Sequence, residues 1–233
     1  MQTWEILERA VAPDGAKLVL ARRGDEWVVR AGGHVLMSSR AHGSEEALAA
    51  AVLERMAAPR PEAAPRSVLI GGLGLGFTLR AALDRLPAAA RVVVAELVPE
   101  LVAWNRTHVA GLAGRPLDDP RCEVKPGDVA ALLAEPAAFD AILLDVDNGP
   151  SALAHPANAR LYGEAGVRAC WQALRPGGVL GLWSASRDER YAARLVQQGF
   201  AVEVKPVAER LGARSADVLF IASKARPAQR RQR

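Results

Sequence analysis

The stretch that most limits what this chain can fold into is residues 67–96, SVLIGGLGLGFTLRAALDRLPAAARVVVAE. It opens on Val68, Leu69 and Ile70, an apolar run of the length a buried strand needs. Four glycines follow in close order: Gly71, Gly72, Gly74 and Gly76. Phe77, Leu79, Ala82, Leu83 and Leu86 then recur at helical spacing until Pro87 stops them. A second apolar run, Val92 to Ala95, ends on Glu96. Strand, glycine turn, helix, strand and acid in that order make half of a nucleotide-binding α/β sheet.

The turn narrows the ligand. Glycines let a backbone turn sharply and approach a bound molecule with no Cβ in the way. Glu96 follows Gly76 by 20 residues, at a strand tip where a carboxylate can accept both ribose hydroxyl protons. A dinucleotide fingerprint, G-x-G-x-x-G, would need a third glycine at Phe77 or at Leu79, and neither is one. A P-loop would end in Gly-Lys-Ser/Thr, and Gly76-Phe77-Thr78 has no lysine. The pattern Gly72-Leu73-Gly74-Leu75-Gly76 therefore favours an adenosine without phosphates over a pyrophosphate.

The remainder of the 233-residue chain fits around this unit. Residues 17–22, 27–30 and 34–38 read as short antiparallel strands joined by glycine turns, and a helix follows with Ser44 as its expected cap. Pro59 to Pro65 is a proline-rich linker. It separates a small β module plus helix (1–60) from a larger α/β domain (66–223). After Glu96 come a helix from Pro99, a strand from Cys122 to Lys125, and Gly127-Asp128 ahead of a helix from Val129. Asp128 is placed both to cap that helix and to meet an adenine. Phe139 to Asp145 is a strand apolar enough to be buried on both faces, with Asp145 at its carboxyl edge, where open α/β sheets bind ligands. Asp147 follows in a turn-rich acidic loop, as a second functional acid or as part of the turn. A helix over 163–174, an Arg-Pro-Gly-Gly turn, a strand over 179–183 and a helix over 188–198 come next. The last strand candidates, 201–204 and 217–222, are too closely spaced for a crossover helix and are expected to pair antiparallel.

Charge and cysteine usage limit the setting. The net charge is +4, yet the final ten residues, KARPAQRRQR, carry five cations and no acid. Taking those five away leaves −1 over residues 1–223, so the basic character belongs to an expected disordered tail, 224–233. Nucleic acid is therefore disfavoured as a partner. No apolar run approaches a membrane span, and the acidic N-terminus does not resemble a signal peptide. Cys122 and Cys170 stand in no metal spacing, which suits reduced thiols of a cytoplasmic protein without a metal.

A mostly parallel seven-stranded sheet with an antiparallel last strand is the layout of the Rossmann-like Class I S-adenosylmethionine-dependent transferases. Within that class the chain resembles the spermidine synthase (polyamine aminopropyltransferase) family. The resemblance rests on VLIGGLGLGFTLRAAL, VVVAELVPELV, DPRCEVKPGD, FDAILLDVDNGP and LYGEAGVRACWQALRPGGVLGLW, spanning about residues 67–183. It implies that Gly71, Gly72, Gly74, Gly76, Glu96 and Asp128 hold the nucleoside of decarboxylated S-adenosylmethionine or S-adenosylmethionine, used as a co-substrate. It implies that Asp145, with Asp147, deprotonates and orients an attacking amine. Asp147 and Tyr162 fall where the family holds its acceptor, a small-molecule amine, and a homodimer is implied too. Two places depart from the family. Gly74 stands where an aspartate grips the ammonium of the donor, and MSSRAHGSEEAL replaces a polar segment, leaving His42 and Glu46 as substrate-binding candidates. Three functions are open at this level: aminopropyl transfer, methyl transfer on the same fold, and nucleoside binding without catalysis.

Overall fold

The computed structural model describes residues 3–57, 67–146, 150, 159–207 and 217–226. Its N-terminal part is a four-stranded antiparallel meander: β1 (Glu5–Val11), β2 (Lys17–Arg23), β3 (Glu26–Ala31) and β4 (His34–Ser38). β1 is a strand that hydrophobic alternation does not announce. Its sequence EILERAV puts only Ala10 in the core, as an edge strand with one protected side can do.

The glycine-centred unit folds as its pattern requires. β5 (Ser67–Gly71), α2 (Phe77–Arg85) and β6 (Arg91–Glu96) form a parallel strand–helix–strand crossover, continued by α3 (Pro99–Arg106), β7 (Cys122–Pro126), α4 (Val129–Leu132) and β8 (Phe139–Leu144). Then come α5 (Ala159–Tyr162), α6 (Glu164–Ala173), β9 (Leu174–Ser184), α7 (Glu189–Gln198), β10 (Ala201–Pro206) and β11 (Val218–Ser223). The sheet order is β10-β11-β9-β8-β5-β6-β7, with β11 antiparallel to both neighbours and β5 to β9 parallel. Chain direction across the sheet reverses between β5 and β8, which opens a crevice at the strands' carboxyl ends.

Strand alternation sorts the core into two layers. Val68, Ile70, Val92, Val94, Ala141 and Leu143 face one side, while Leu69, Val93, Ile142 and Leu144 face the other. The first layer is covered by α2 and by α1 (Gly43–Ala57), which contributes Leu48, Val52 and Met56. The second is covered by α6 and α7 through Val167, Cys170, Tyr191 and Leu195. The helix expected to go with the small β module thus packs on the large sheet. A Cβ at Gly181 of β9 would lie 2.2 Å from Val52 Cγ2, so α1 rests on bare strand backbone. α1 also begins before its expected cap: Gly43 is already helical, and Ser44 donates from inside the first turn to Glu45 Oε2 at 2.6 Å.

The Arg175-Pro176-Gly177-Gly178 segment is not a turn ahead of a strand but part of β9. Leu174 pairs with Phe139 and Val179 with Ala141, so β9 bulges between them, and Gly177 takes a φ of +83° there. Lys224 closes the bulge by exchanging backbone hydrogen bonds with Gly177 and Gly178. Residues 59–65 and most of the basic tail lie outside the described residues. No helix among the described residues is long and apolar enough to cross a membrane.

Candidate functional site

A cavity of about 600 Å³ opens at the reversal point of the sheet. Its floor is the glycine turn and the tips of β6 and β8. Its opposite wall comes from the N-terminal sheet, through Trp4, Val28 and Met37 among others.

Backbone approach fixes the floor. Gly72 has a φ of +89°, and a Cβ there would fall 2.3 Å from the carbonyl oxygen of Asp145. Only glycine fits, on both counts. Asp145 N–H donates to the Gly71 oxygen, and Gly72 N–H to the Ala95 oxygen, so β5, β6 and β8 are clamped together where they meet the cavity. Gly76 caps α2 in the left-handed region, and Gly74 turns the loop with Met37 Sδ 3.7 Å from where its Cβ would be. Asn105, 2% exposed on α3, holds the loop from behind: its Nδ2 donates to Gly74 O at 2.8 Å and to Leu101 O at 2.9 Å.

Glu96 ends β6 only 5% exposed. Its Oε2 accepts from Leu73 N–H and its Oε1 from Val98 N–H, each at 2.8 Å. Burial pushes its pKa above the ordinary carboxylate value, although the surrounding backbone N–H groups favour the charged form. The Leu97 and Gly74 N–H groups also act on this carboxylate, which borders the cavity. Asp128 caps α4, accepting from Ala130 N–H at 2.9 Å, and also lines the cavity.

Asp145 follows β8 directly and is half-buried. Its carboxyl borders the cavity, and burial raises its pKa. Thr78 Oγ1 donates to its Oδ2 at 2.7 Å, which opposes the rise. A carboxylate held above its ordinary pKa beside a sheltered cavity is suited to taking a proton from an amine.

Other expected residues lie elsewhere. His42 Nδ1 is 2.9 Å from Glu46 Oε1, and the His42 ring stacks on Phe77 at 4.0 Å; neither His42 nor Glu46 lines the cavity. Tyr162 is buried among α6 and α7 and meets Tyr191 edge-on at 5.9 Å. Asp147 lies outside the described residues. In their place the N-terminal half supplies Glu26, from β3, and Glu45, from α1. Helical phase signals Glu45: it stands three and four residues before Leu48 and Ala49 of the buried face, while Glu46 points outward. Strand alternation does the same for Glu26, two residues before the buried Val28.

Five carboxylates thus line the cavity among the described residues: Glu26, Glu45, Glu96, Asp128 and Asp145. No lysine, arginine or histidine does. The described residues contain no group of three or more His, Cys, Asp or Glu placed to hold a metal ion.

No family model matches the chain. It is 36% identical over 138 residues to polyamine aminopropyltransferase 2 of Pseudomonas aeruginosa, covering 55% of this chain and 37% of that protein. It is 37% identical over 121 residues to the polyamine aminopropyltransferase of Nitrosomonas europaea, covering 51% of this chain and 35% of that protein. The chain spans about a third of the length of these curated relatives. A spermidine synthase in complex with the transition-state analogue AdoDATO superposes with a TM-score of 0.75 at 21% identity, over 95% of this chain and 74% of that one. The spermidine synthase of Thermotoga maritima gives 0.72 at 20%, with the same coverage. The chain is thus similar in sequence to polyamine aminopropyltransferases over about half its length, and it has the fold of the spermidine synthases.

Proposed function

We propose that this chain transfers an aminopropyl group from decarboxylated S-adenosylmethionine to a small-molecule amine. The observation that carries the reading is the charge of the cavity: five carboxylates and no cationic side chain among the described residues. Such a site attracts a sulfonium and an amine. It repels a donor that still carries a carboxylate, since like charges about 4 Å apart near a protein surface cost about 4 kcal/mol. The relatives' printed names point the same way.

In this reading Glu96 accepts the ribose hydroxyls, Asp128 stands near the adenine, and Gly72, Gly74 and Gly76 let the nucleoside lie close to the backbone. Asp145 takes a proton from the acceptor's ammonium. The freed nitrogen lone pair attacks the carbon bonded to sulfur, and the C–S bond breaks with its electron pair going to sulfur. The sulfonium leaves as a neutral thioether, methylthioadenosine, and the new C–N bond completes the transfer. Most of the acceleration comes from alignment of nitrogen, carbon and sulfur in one line. The homodimer and cytoplasmic setting implied by the family resemblance belong to the same reading.

Calorimetric titration with decarboxylated S-adenosylmethionine, S-adenosylmethionine, methylthioadenosine and S-adenosylhomocysteine tests it, together with methylthioadenosine release in the presence of diamines. Preference for the decarboxylated donor and methylthioadenosine is expected. Preference for S-adenosylmethionine and S-adenosylhomocysteine would move the chain to methyl transfer.

A further inference from the structure

The geometry points to Thr78 as a positioning residue for Asp145, whose hydroxyl engages one carboxylate oxygen and leaves the other for the substrate amine. This deepens the transfer reading and rests on Asp145 as its base. Thr78 lies in the first turn of α2 and is 2% exposed. At that place no helical carbonyl lies four residues earlier to receive its hydroxyl. Thr78 Oγ1 donates instead to Asp145 Oδ2 at 2.7 Å, while Asn105 Nδ2 holds Gly74 O in the turn ahead of the helix. The bond joins the helix after the glycine turn to the tip of β8. These are the two elements that must keep register if a donor on the turn is to meet an amine at Asp145.

The bond also sets the proton affinity of the base. A hydroxyl that donates to a carboxylate favours its charged form, against the burial that disfavours it. Among the described residues, the other titratable groups bordering the cavity are Glu96 at the end of β6, Asp128 after β7, Glu45 on α1 and Glu26 on β3. All are acids, and replacing Thr78 leaves each of them in place. Removal of the hydroxyl therefore acts on Asp145 in one direction, upward.

Thr78→Val keeps the shape and deletes the donor; Thr78→Ser keeps the donor. Two readouts are taken on the full chain: the carboxyl titration of Asp145 by NMR with carbon-13-labelled aspartate, and the pH profile of kcat at saturating donor. In Thr78→Val the Asp145 titration and the acidic limb of the profile move up by about one pH unit. There kcat at neutral pH falls about tenfold while methylthioadenosine affinity stays within about twofold, because alignment rather than binding is lost. Thr78→Ser restores both readouts. Should Thr78→Val not fold, Thr78→Ala removes the same hydroxyl and carries the same expectation. An Asp145 titration unmoved in the hydroxyl-free variant, or a loss in Thr78→Ser as large as in Thr78→Val, would overturn the inference. A wild-type chain that transfers nothing would overturn the transfer reading alone, since the carboxyl titration still decides the role of Thr78.

Discussion

Asp145 and Glu96 are both cavity acids whose pKa values are raised by burial, yet the structure uses them differently. Glu96 is a structural acceptor as well as a cavity group, because Leu73 and Val98 N–H depend on it. Glu96→Ala is expected to weaken every adenosyl ligand alike and to cost about 1–3 kcal/mol of stability through the donors it strands. Parallel titrations and urea unfolding check this, and unequal losses among the adenosyl ligands would remove Glu96 from the ribose. Asp145 has the opposite balance. The folded chain binds its proton more tightly than the unfolded chain does. Stability therefore falls as pH rises from the ordinary value of 3.8 through the raised one. Asp145→Asn removes the cost. It is expected to raise Tm at pH 7 and to lose that gain as pH falls below the ordinary carboxylate range, while turnover drops about a hundredfold or more with nucleoside binding intact. A Tm that falls at pH 7 together with unchanged turnover would show that the carboxylate is held for packing rather than for chemistry.

Among the elements, α1 couples the two parts of the chain. Its apolar face presses on β9 at Gly181, where an added Cβ would sit 2.2 Å from Val52 Cγ2 and 2.9 Å from Leu48 Cδ1. Gly181→Ala is expected to cost about 1–3 kcal/mol by overpacking, and Val52→Ala in the same chain to recover part of it. Additive losses in that cycle would mean that the helix can shift away from β9. The contact also shows why the packing of this helix was not legible in the sequence. Prolines mark where a chain cannot continue a helix, but only a three-dimensional surface says what that helix covers. The sheet was readable for the same local reason: runs such as Val68-Leu69-Ile70 and Ile142-Leu143-Leu144 suit strands buried on both faces. β1 was not readable, because an edge strand can keep polar side chains on nearly every position. Of the site, Gly72, Glu96 and Asp145 could be named from strand tips and glycine spacing. Thr78 and Glu45 could not be named from motif alone, since each gains its role from a neighbour distant in sequence or from helical phase.

At the scale of the molecule, net charge and site charge have opposite signs. The chain carries +4, with its cations concentrated in the last ten residues, while the cavity is lined by acids. Two of those acids come from the N-terminal half, so the small sheet and α1 are walls of the site rather than an appendage to it. Glu26 has Arg23 at 2.8 Å and Arg40 at 3.6 Å, and Glu45 accepts from the Ser44 hydroxyl. Glu45→Gln and Glu26→Gln are each expected to raise KM for a cationic acceptor, by up to about tenfold, the worth of one modest charge interaction. Affinity for methylthioadenosine, which carries no charge, should stay the same in both variants. The acceptor's KM should rise with ionic strength in the wild type and rise less in Glu45→Gln, because screening acts on the field that the substitution has already removed. If Glu45→Gln instead weakened methylthioadenosine as strongly as the amine, the N-terminal wall would be shaping the cavity rather than selecting charge.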